Sequence, residues 1–376
     1  MLTRLQTFLI TFTCLASLQL TGPLPGTAEP IKIGAIFALS GKAQTSNKPA
    51  ILGVELAVRE INEEGGVLGR NVELLLLDNN STPIGSHIAA EKAAMADVTA
   101  IIGSVWSSHS LAIAKVAEKY KIPMISTNST IPSLTTIGDH IFRVCYDDNF
   151  QGTVMAEFAF NELGARTALV FVDIASDFSL NLTEIFGRTF QLMGGKIVKE
   201  IEYKTGQADY LPQIREALAH DTDIVFLSGH DEGGVIADEL QKAGVHAIPI
   251  GNDGWDVDSF FDLGGHKIKQ GFYITHWTPL HADPLSQAFI KKYANEGEIK
   301  ASTALAYDAV HVLAAAIRKA ASTDSAAIRN GLHSLAGFRG ITGEISFDQQ
   351  GNATKQACMM EIRKGAPYHL RCHASD

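Results

Sequence analysis

The amino-acid sequence predicts an α/β protein of two similar lobes, each with a mostly parallel sheet covered by helices. Three observations carry this. Short apolar runs alternate with segments of helical period along most of the 376 residues, the pattern of parallel strands with helices on their faces. The run VELLLL at residues 72–77 is apolar without alternation, as a strand buried on both faces is. The alternation also yields too many strands for one compact sheet, and a new series begins after Tyr146 in the same layout as the first.

In order, residues 31–39 form the first strand, and Ser40-Gly41 begins a polar loop. Pro49 opens a helix with Ile51, Val54, Val58 and Ile61 on one face, and Gly65-Gly66 stops it. Strand 72–77 ends at Asp78, and the turn-rich NNSTP leads into a helix reaching Ala96. The central stretch, residues 100–130, reads as strand, polar loop SVWSSHS, helix, strand and polar loop TNST. A βαβ unit of this length sets its strands parallel, so both polar loops lie at the carboxyl edge, where open α/β sheets bind ligands. Ser107 or Ser108 is positioned to cap the intervening helix, whose free N–H groups attract a carboxylate or phosphate. The alternative is a pair of ordinary solvated loops. After strand 141–146 come helix 150–163, strand 168–173, helix 180–192, strand 196–203, helix 210–219, strand 223–228, helix 235–243 and strand 247–251. Strand 271–275 leads to three helices at 284–294, 302–321 and 324–335, then strand 344–347 and a hairpin. Short crossings near Tyr146, His276 and Gly343 join the lobes. Lobe 1 is then residues 29–146 with 277–342, and lobe 2 residues 147–276 with 343–376.

Residues 8–20 are apolar, preceded by Arg4, and too short to span a bilayer; GTA at residues 26–28 supplies small residues before a cleavage site. These features predict a cleaved secretory signal over residues 1–28 and an exported, periplasmic, soluble protein. Lipidation of Cys14 is the weaker reading, because that cysteine sits inside the apolar run. Loss of Arg4 with the signal takes the formal net charge from −10 to −11, which argues against a nucleic-acid partner. Three cysteines remain. The run CMMEIRKGAPYHLRC reads as a hairpin about Lys364-Gly365, and a two-residue turn there sets Cys358 opposite Cys372, within reach of a disulfide in an oxidising compartment. Cys145 is left as a buried thiol; three unpaired cysteines are the alternative.

No dinucleotide, P-loop, zinc-protease or nucleophile-elbow motif is present, and the glycines of GHDEGG have the wrong spacing for a phosphate cradle. His276 and His281 lack a cysteine or carboxylate at ligand spacing, so surface or core roles suit them better than a metal. Neither cofactor nor metal is expected, and no nucleophile is assembled with a base.

Eight motifs occur in order between residues 40 and 310, SGKAQ, GVELAVREINEEGGVLGRNVEL, IIGSVWSS, IPMISTNST, IFRVCYDDNFQG, DIASDFS, GNDGWD and ALAYDAV, and the resemblance they carry covers residues 31–362. Together they resemble the branched-chain amino acid group of type I periplasmic binding proteins, the substrate-binding proteins of ABC transporters. The resemblance implies two Rossmann-like lobes joined by three hinge crossings, closing on a small molecule that is an amino acid or like one. It implies a ligand carboxylate at Ser107 and the loop Asn128, Ser129 and Thr130. The ammonium would fall to that second loop and to Asp253 of GNDGWD, although Asn252-Asp253-Gly254 is also a good turn in itself.

The side-chain pocket departs from the family pattern. Ser46 stands where relatives often carry an aromatic, His230 and Asp231 where they often have two tyrosines, and Phe178 where tyrosine is usual. Trp106 replaces a small residue and Ser302 an apolar one. Two readings follow. The ligand has a polar or cationic remainder opposed by Asp231, or it is aliphatic and His230 and Asp231 point to solvent. The resemblance further implies a monomer that delivers solute to an ABC permease. The alternatives are a sensor presenting ligand to a chemoreceptor or kinase, and an enzyme on the same architecture.

Overall fold

The computed structural model describes residues 29–280 and 283–374. The secretory segment, with Cys14, and His281 lie outside the described residues. Strands β1 (Ile31–Phe37), β2 (Val72–Asp78), β3 (Ala100–Ile102), β4 (Met124–Ser126) and β5 (Ile141–Arg143) alternate with helices α1 (Gln44–Glu63), α2 (Pro83–Met95) and α3 (Ser107–Tyr120). They form a parallel sheet in the order β2-β1-β3-β4-β5. The second series holds β6 (Thr167–Asp173), β7 (Lys196–Tyr203), β8 (Ile224–Ser228), β9 (Ile248–Gly251) and β10 (Gln270–Thr275). Its helices are α4 (Asp148–Glu157), α5 (Asp177–Leu192), α6 (Leu211–Ala217), α7 (Gly233–Ala243) and α8 (Asp258–Leu263). Its order, β7-β6-β8-β9-β10, repeats the first. Chain order reverses between β1 and β3 and between β6 and β8, so each sheet opens a crevice at its carboxyl edge.

Helices α9 (Pro284–Tyr293), α10 (Ala301–Ala320) and α11 (Ser325–His333) return to the first lobe, with strands β11 (Phe338–Gly340), β12 (Gly343–Phe347) and β13 (Ala353–Thr354) as a small antiparallel sheet. Strand β14 (Gln356–Arg363) then extends the second sheet antiparallel to β10, and β15 (Ala366–Ala374) pairs antiparallel with β14. The hydrophobic cores divide accordingly. Cys145, Trp277, Ile345 and Ala353 are packed in the core of the first lobe, and Tyr146, Ile274 and Ala357 in that of the second. The third crossing therefore lies at Lys355, between β13 and β14, and not near Gly343. Alternation in β12 points Ile345 into the first core, and only β14 pairs with the second sheet.

Two local differences from the sequence reading have clear causes. Helix α1 begins at Gln44, with Pro49 inside it. Asn47 anchors the added turn, its amide donating to Ala43 O (2.9 Å) and its carbonyl accepting from Ala38 N (3.2 Å). In the hairpin, the two-residue turn does not by itself set Cys358 opposite Cys372 as expected above, because pairing Arg363 with Ala366 in an unbroken ladder sets Cys358 opposite Arg371. A bulge leaves Leu370 unpaired, shifts the register by one, and brings Cys358 opposite Cys372, where the disulfide forms. Cys145 is a free, buried thiol that burial pushes up to about 12.

Two glycines position the cleft. A Cβ on Gly53 would meet Thr303 O at 2.1 Å, so α1 and α10 are in backbone contact, setting Ser302 beside the loop after β1. Gly103, at φ +129°, turns the chain out of β3 against Ile36 O.

Candidate functional site

The carboxyl ends of the two sheets face each other across a cleft lined by residues of both lobes. On the first lobe, Trp106 precedes α3, and no side chain caps that helix. The predicted capping by Ser107 or Ser108 is not made. Ser107 is instead the first residue of the helix; it lines the cavity and accepts a hydrogen bond from Ile131 N at 3.4 Å. The open helix end thus presents N–H groups and the positive end of the helix dipole to the cleft.

The loop after β4 divides by function. The hydroxyls of Ser126, Thr127 and Ser129 all donate to Ser104 O (3.4, 3.4 and 3.3 Å), and Ser129 Oγ also reaches Ser110 Oγ at 2.5 Å. These groups brace the loop that carries Trp106. Ser129 is fully buried and is not among the residues lining the cavity, so its hydroxyl serves the loop itself. Asn128 and Thr130 do line it. Asn128 donates to Ser302 Oγ (3.3 Å), and its Oδ1 is buried with no hydrogen-bond partner.

On the second lobe, Asp253 follows β9. Its Oδ2 lies 3.1 Å from Nε2 of His276, while Oδ1 is buried and unpartnered. His276 is a core residue of the second crossing, 1% exposed, with its ring 3.7 Å from that of Tyr146 in the first. The two hinge strands thereby support the acid in the cleft. His230 and Asp231 follow β8. Glu232, held by the Tyr203 hydroxyl (2.7 Å), accepts from His230 N (3.1 Å) and fixes the turn. The His230 ring is sandwiched between Trp106 of the first lobe (4.8 Å, planes 7° apart) and Phe178 of the second (5.1 Å, 18°). It does not point to solvent. Asp231 lines the same cavity, as do Ser46, whose hydroxyl donates to Ala43 O (3.0 Å), and Ser302. Val105, Gly254 and Val257 complete the wall.

Sequence reasoning missed the groups behind this wall. Arg143, fully buried at the end of β5, donates to the carbonyls of Ser129 (3.1 Å), Ile131 (2.8 Å) and Pro132 (3.3 Å), and so shapes the Asn128–Thr130 loop. An arginine inside the apolar run IFRVCY was the available signal, because a buried guanidinium requires carbonyl or carboxylate partners. Asp148, at the start of α4, accepts from Gln151 (2.6 Å) and Asn181 (3.1 Å), and its backbone N–H donates to Thr130 O (2.8 Å) across the cleft. Burial raises its carboxyl to about 7 despite these donors. Burial likewise holds Asp256, bonded by Thr275 (2.7 Å), up at about 6. At the cleft edge Lys300 of the first lobe pairs with Asp258 of the second at 2.7 Å. With Trp106 on His230 and Thr130 on Asp148, this contact fastens the lobes in a closed arrangement.

The chain matches the family model described as "Periplasmic binding protein" over residues 30–367. It is 27% identical to a Leu/Ile/Val-binding protein of Rhizobium johnstonii over 93% of this chain and 95% of that one. A Leu/Ile/Val-binding protein homolog of Brucella melitensis is 26% identical over 86% and 88%. Among solved structures, a leucine binding protein from Thermotoga maritima superposes with a TM-score of 0.86 at 32% identity, covering 91% of this chain and 98% of that one. A branched-chain amino acid transporter substrate binding protein from Streptococcus pneumoniae, in complex with isoleucine, does so at 0.85 and 27%, covering 92% and 99%. The two-lobed fold, the cleft between the sheets and these similarities agree: the chain belongs to the periplasmic binding protein family, as a solute-binding protein of an ABC transporter and not an enzyme.

Proposed function

We propose that the cleft binds an α-amino acid, the ammonium on Asp253 and Asn128 and the carboxylate on Ser107, Thr130 and the open end of α3. The observation that carries this is a pair of buried, unpartnered acceptors, Asn128 Oδ1 and Asp253 Oδ1, in the same cavity as an uncapped helix N-terminus. Unmade hydrogen bonds of buried acceptors cost free energy that a donor-rich cation recovers, and helix N–H groups suit the anion of the same zwitterion. The relatives named for leucine, isoleucine and valine, and the neighbour holding isoleucine, support the same ligand class.

Closure follows from the geometry. Asp253 belongs to one lobe and Ser107, Asn128 and Thr130 to the other, so a ligand touching both favours the closed state. The family supports a periplasmic location, with the closed form read by the membrane subunits of the importer. No described helix is long and apolar enough to cross a membrane.

A melting-temperature screen of the purified protein against the amino acids tests this reading. Ligand at 100 times its Kd stabilises the native state by about 2.7 kcal/mol, a rise of several degrees. Absence of a shift with every amino acid at millimolar concentration would show the clamp to be misassigned.

A further inference from the structure

Two carboxylates, Asp231 and Asp253, line the cleft cavity, and among the described lining residues there is no lysine or arginine. In the reading above, on which this inference rests, the ligand's α-ammonium engages Asp253. Asp231 remains as a second negative charge, with no side-chain hydrogen bond or ion pair among the described residues. The only other titratable group in the wall, His230, is held between two rings. Asp231 is half-buried in this closed arrangement, and a ligand that covers it further without pairing it is penalised, which favours a ligand carrying a matching cation.

The spacing and shape narrow its chemistry. A Cβ on Gly254 would lie 3.2 Å from His230 Cα, so the chain ends of β8 and β9 touch. Asp253 and Asp231 each lie one residue from that contact, which keeps their Cα atoms within roughly 12 Å at about 3.8 Å per residue. An unbranched side chain of three or four carbons bridges such a span. The rings of Trp106, His230 and Phe178, with Ser107, also line a second cavity on the Lys42 side of the cleft. They therefore form a partition that a branched or bulky side chain would have to displace.

We propose that the site is selective for a diamino acid with an unbranched side chain, its α-ammonium on Asp253 and its terminal ammonium on Asp231. Calorimetric titration with L-ornithine and L-norvaline, which share a carbon skeleton and differ in the terminal nitrogen, tests this in the wild-type protein and in Asp231→Asn. The expected result is ornithine binding at least about tenfold tighter than norvaline, with the ratio falling to within about threefold in the variant. Thermal melts check that the variant is folded. Norvaline binding as tightly as ornithine would overturn the inference and leave the amino-acid reading standing. A ratio that persists in folded Asp231→Asn would also overturn it, since the second charge would be read elsewhere. Binding of neither, nor of any other α-amino acid, would overturn both readings.

Discussion

Replacing Asp253 with asparagine removes one charge and leaves the shape of the site in place. In the closed protein Asp253 is 12% exposed, with Oδ2 on His276 and Oδ1 awaiting a donor. The amide oxygen of asparagine still accepts from an ammonium, but as a neutral acceptor, and charge-assisted bonds are roughly twice as strong as neutral ones. Truncating one partner of a desolvated charge pair costs about 2–5 kcal/mol. With an acceptor retained, the loss should sit near the lower end, about 2–3 kcal/mol, or on the order of 30- to 150-fold in Kd. Calorimetry with the tightest-binding amino acid from the screen measures it. The ligand-free variant should melt no lower than the wild type, because it no longer buries an under-satisfied carboxylate. Affinity within twofold of wild type would refute the assignment of the ammonium to Asp253.

Three further outcomes follow from the structure. The Asp148 carboxyl, raised to about 7 by burial, keeps a proton that the unfolded chain releases near pH 4, so its contribution favours folding at low pH and is lost as pH rises from about 4 to 7. Relative to wild type, Asp148→Asn should therefore gain on the order of 2–3 kcal/mol between pH 5 and pH 8, read from denaturant melts at each pH. Reducing the Cys358–Cys372 disulfide, which closes a loop of sequence separation 14, should cost about 3 kcal/mol, seen as a lower melting temperature with reductant and no change in the doubly substituted serine variant. Gly53→Ala should destabilise by about 2 kcal/mol or more, since its Cβ would meet backbone Thr303 O at 2.1 Å, and a melt within a degree of wild type would count against the close α1–α10 packing.

Much of the fold is legible in the sequence because parallel strands covered by helices declare themselves by apolar runs without alternation, as in the fully buried residues 224–228. Residues 72–77 give the same signal on the edge strand β2, where the leucines are only half-buried. The cleft is legible for a related reason: polar loops at the carboxyl ends of such strands converge on one edge, which brings Ser107, Asn128, Thr130, Asp253 and the ring-forming Trp106, Phe178 and His230 to one cavity. What is not legible depends on contacts between distant segments. Ser129 looks like its neighbours in STNST, and only the position of Ser104 O shows that its hydroxyl is used internally. Arg143 and Asp148 support the site from behind, through partners that include residues 11 to 14 positions from Arg143 and Asn181, 33 from Asp148. The third crossing is displaced to Lys355 because the pairing of β12 with β13 is set by the first core. The disulfide register rests on one bulged residue, Leu370, which no turn rule predicts.

The most direct measurement is a crystal structure of the protein with a bound amino acid. The α-nitrogen should lie at about 3 Å from Asp253 Oδ1 and Asn128 Oδ1, a charge-assisted hydrogen-bond distance. The carboxylate should rest on Ser107, Thr130 and the first N–H groups of α3. A ligand bound with its carboxylate toward Asp253, or outside the cleft between β3, β4, β8 and β9, would contradict the account.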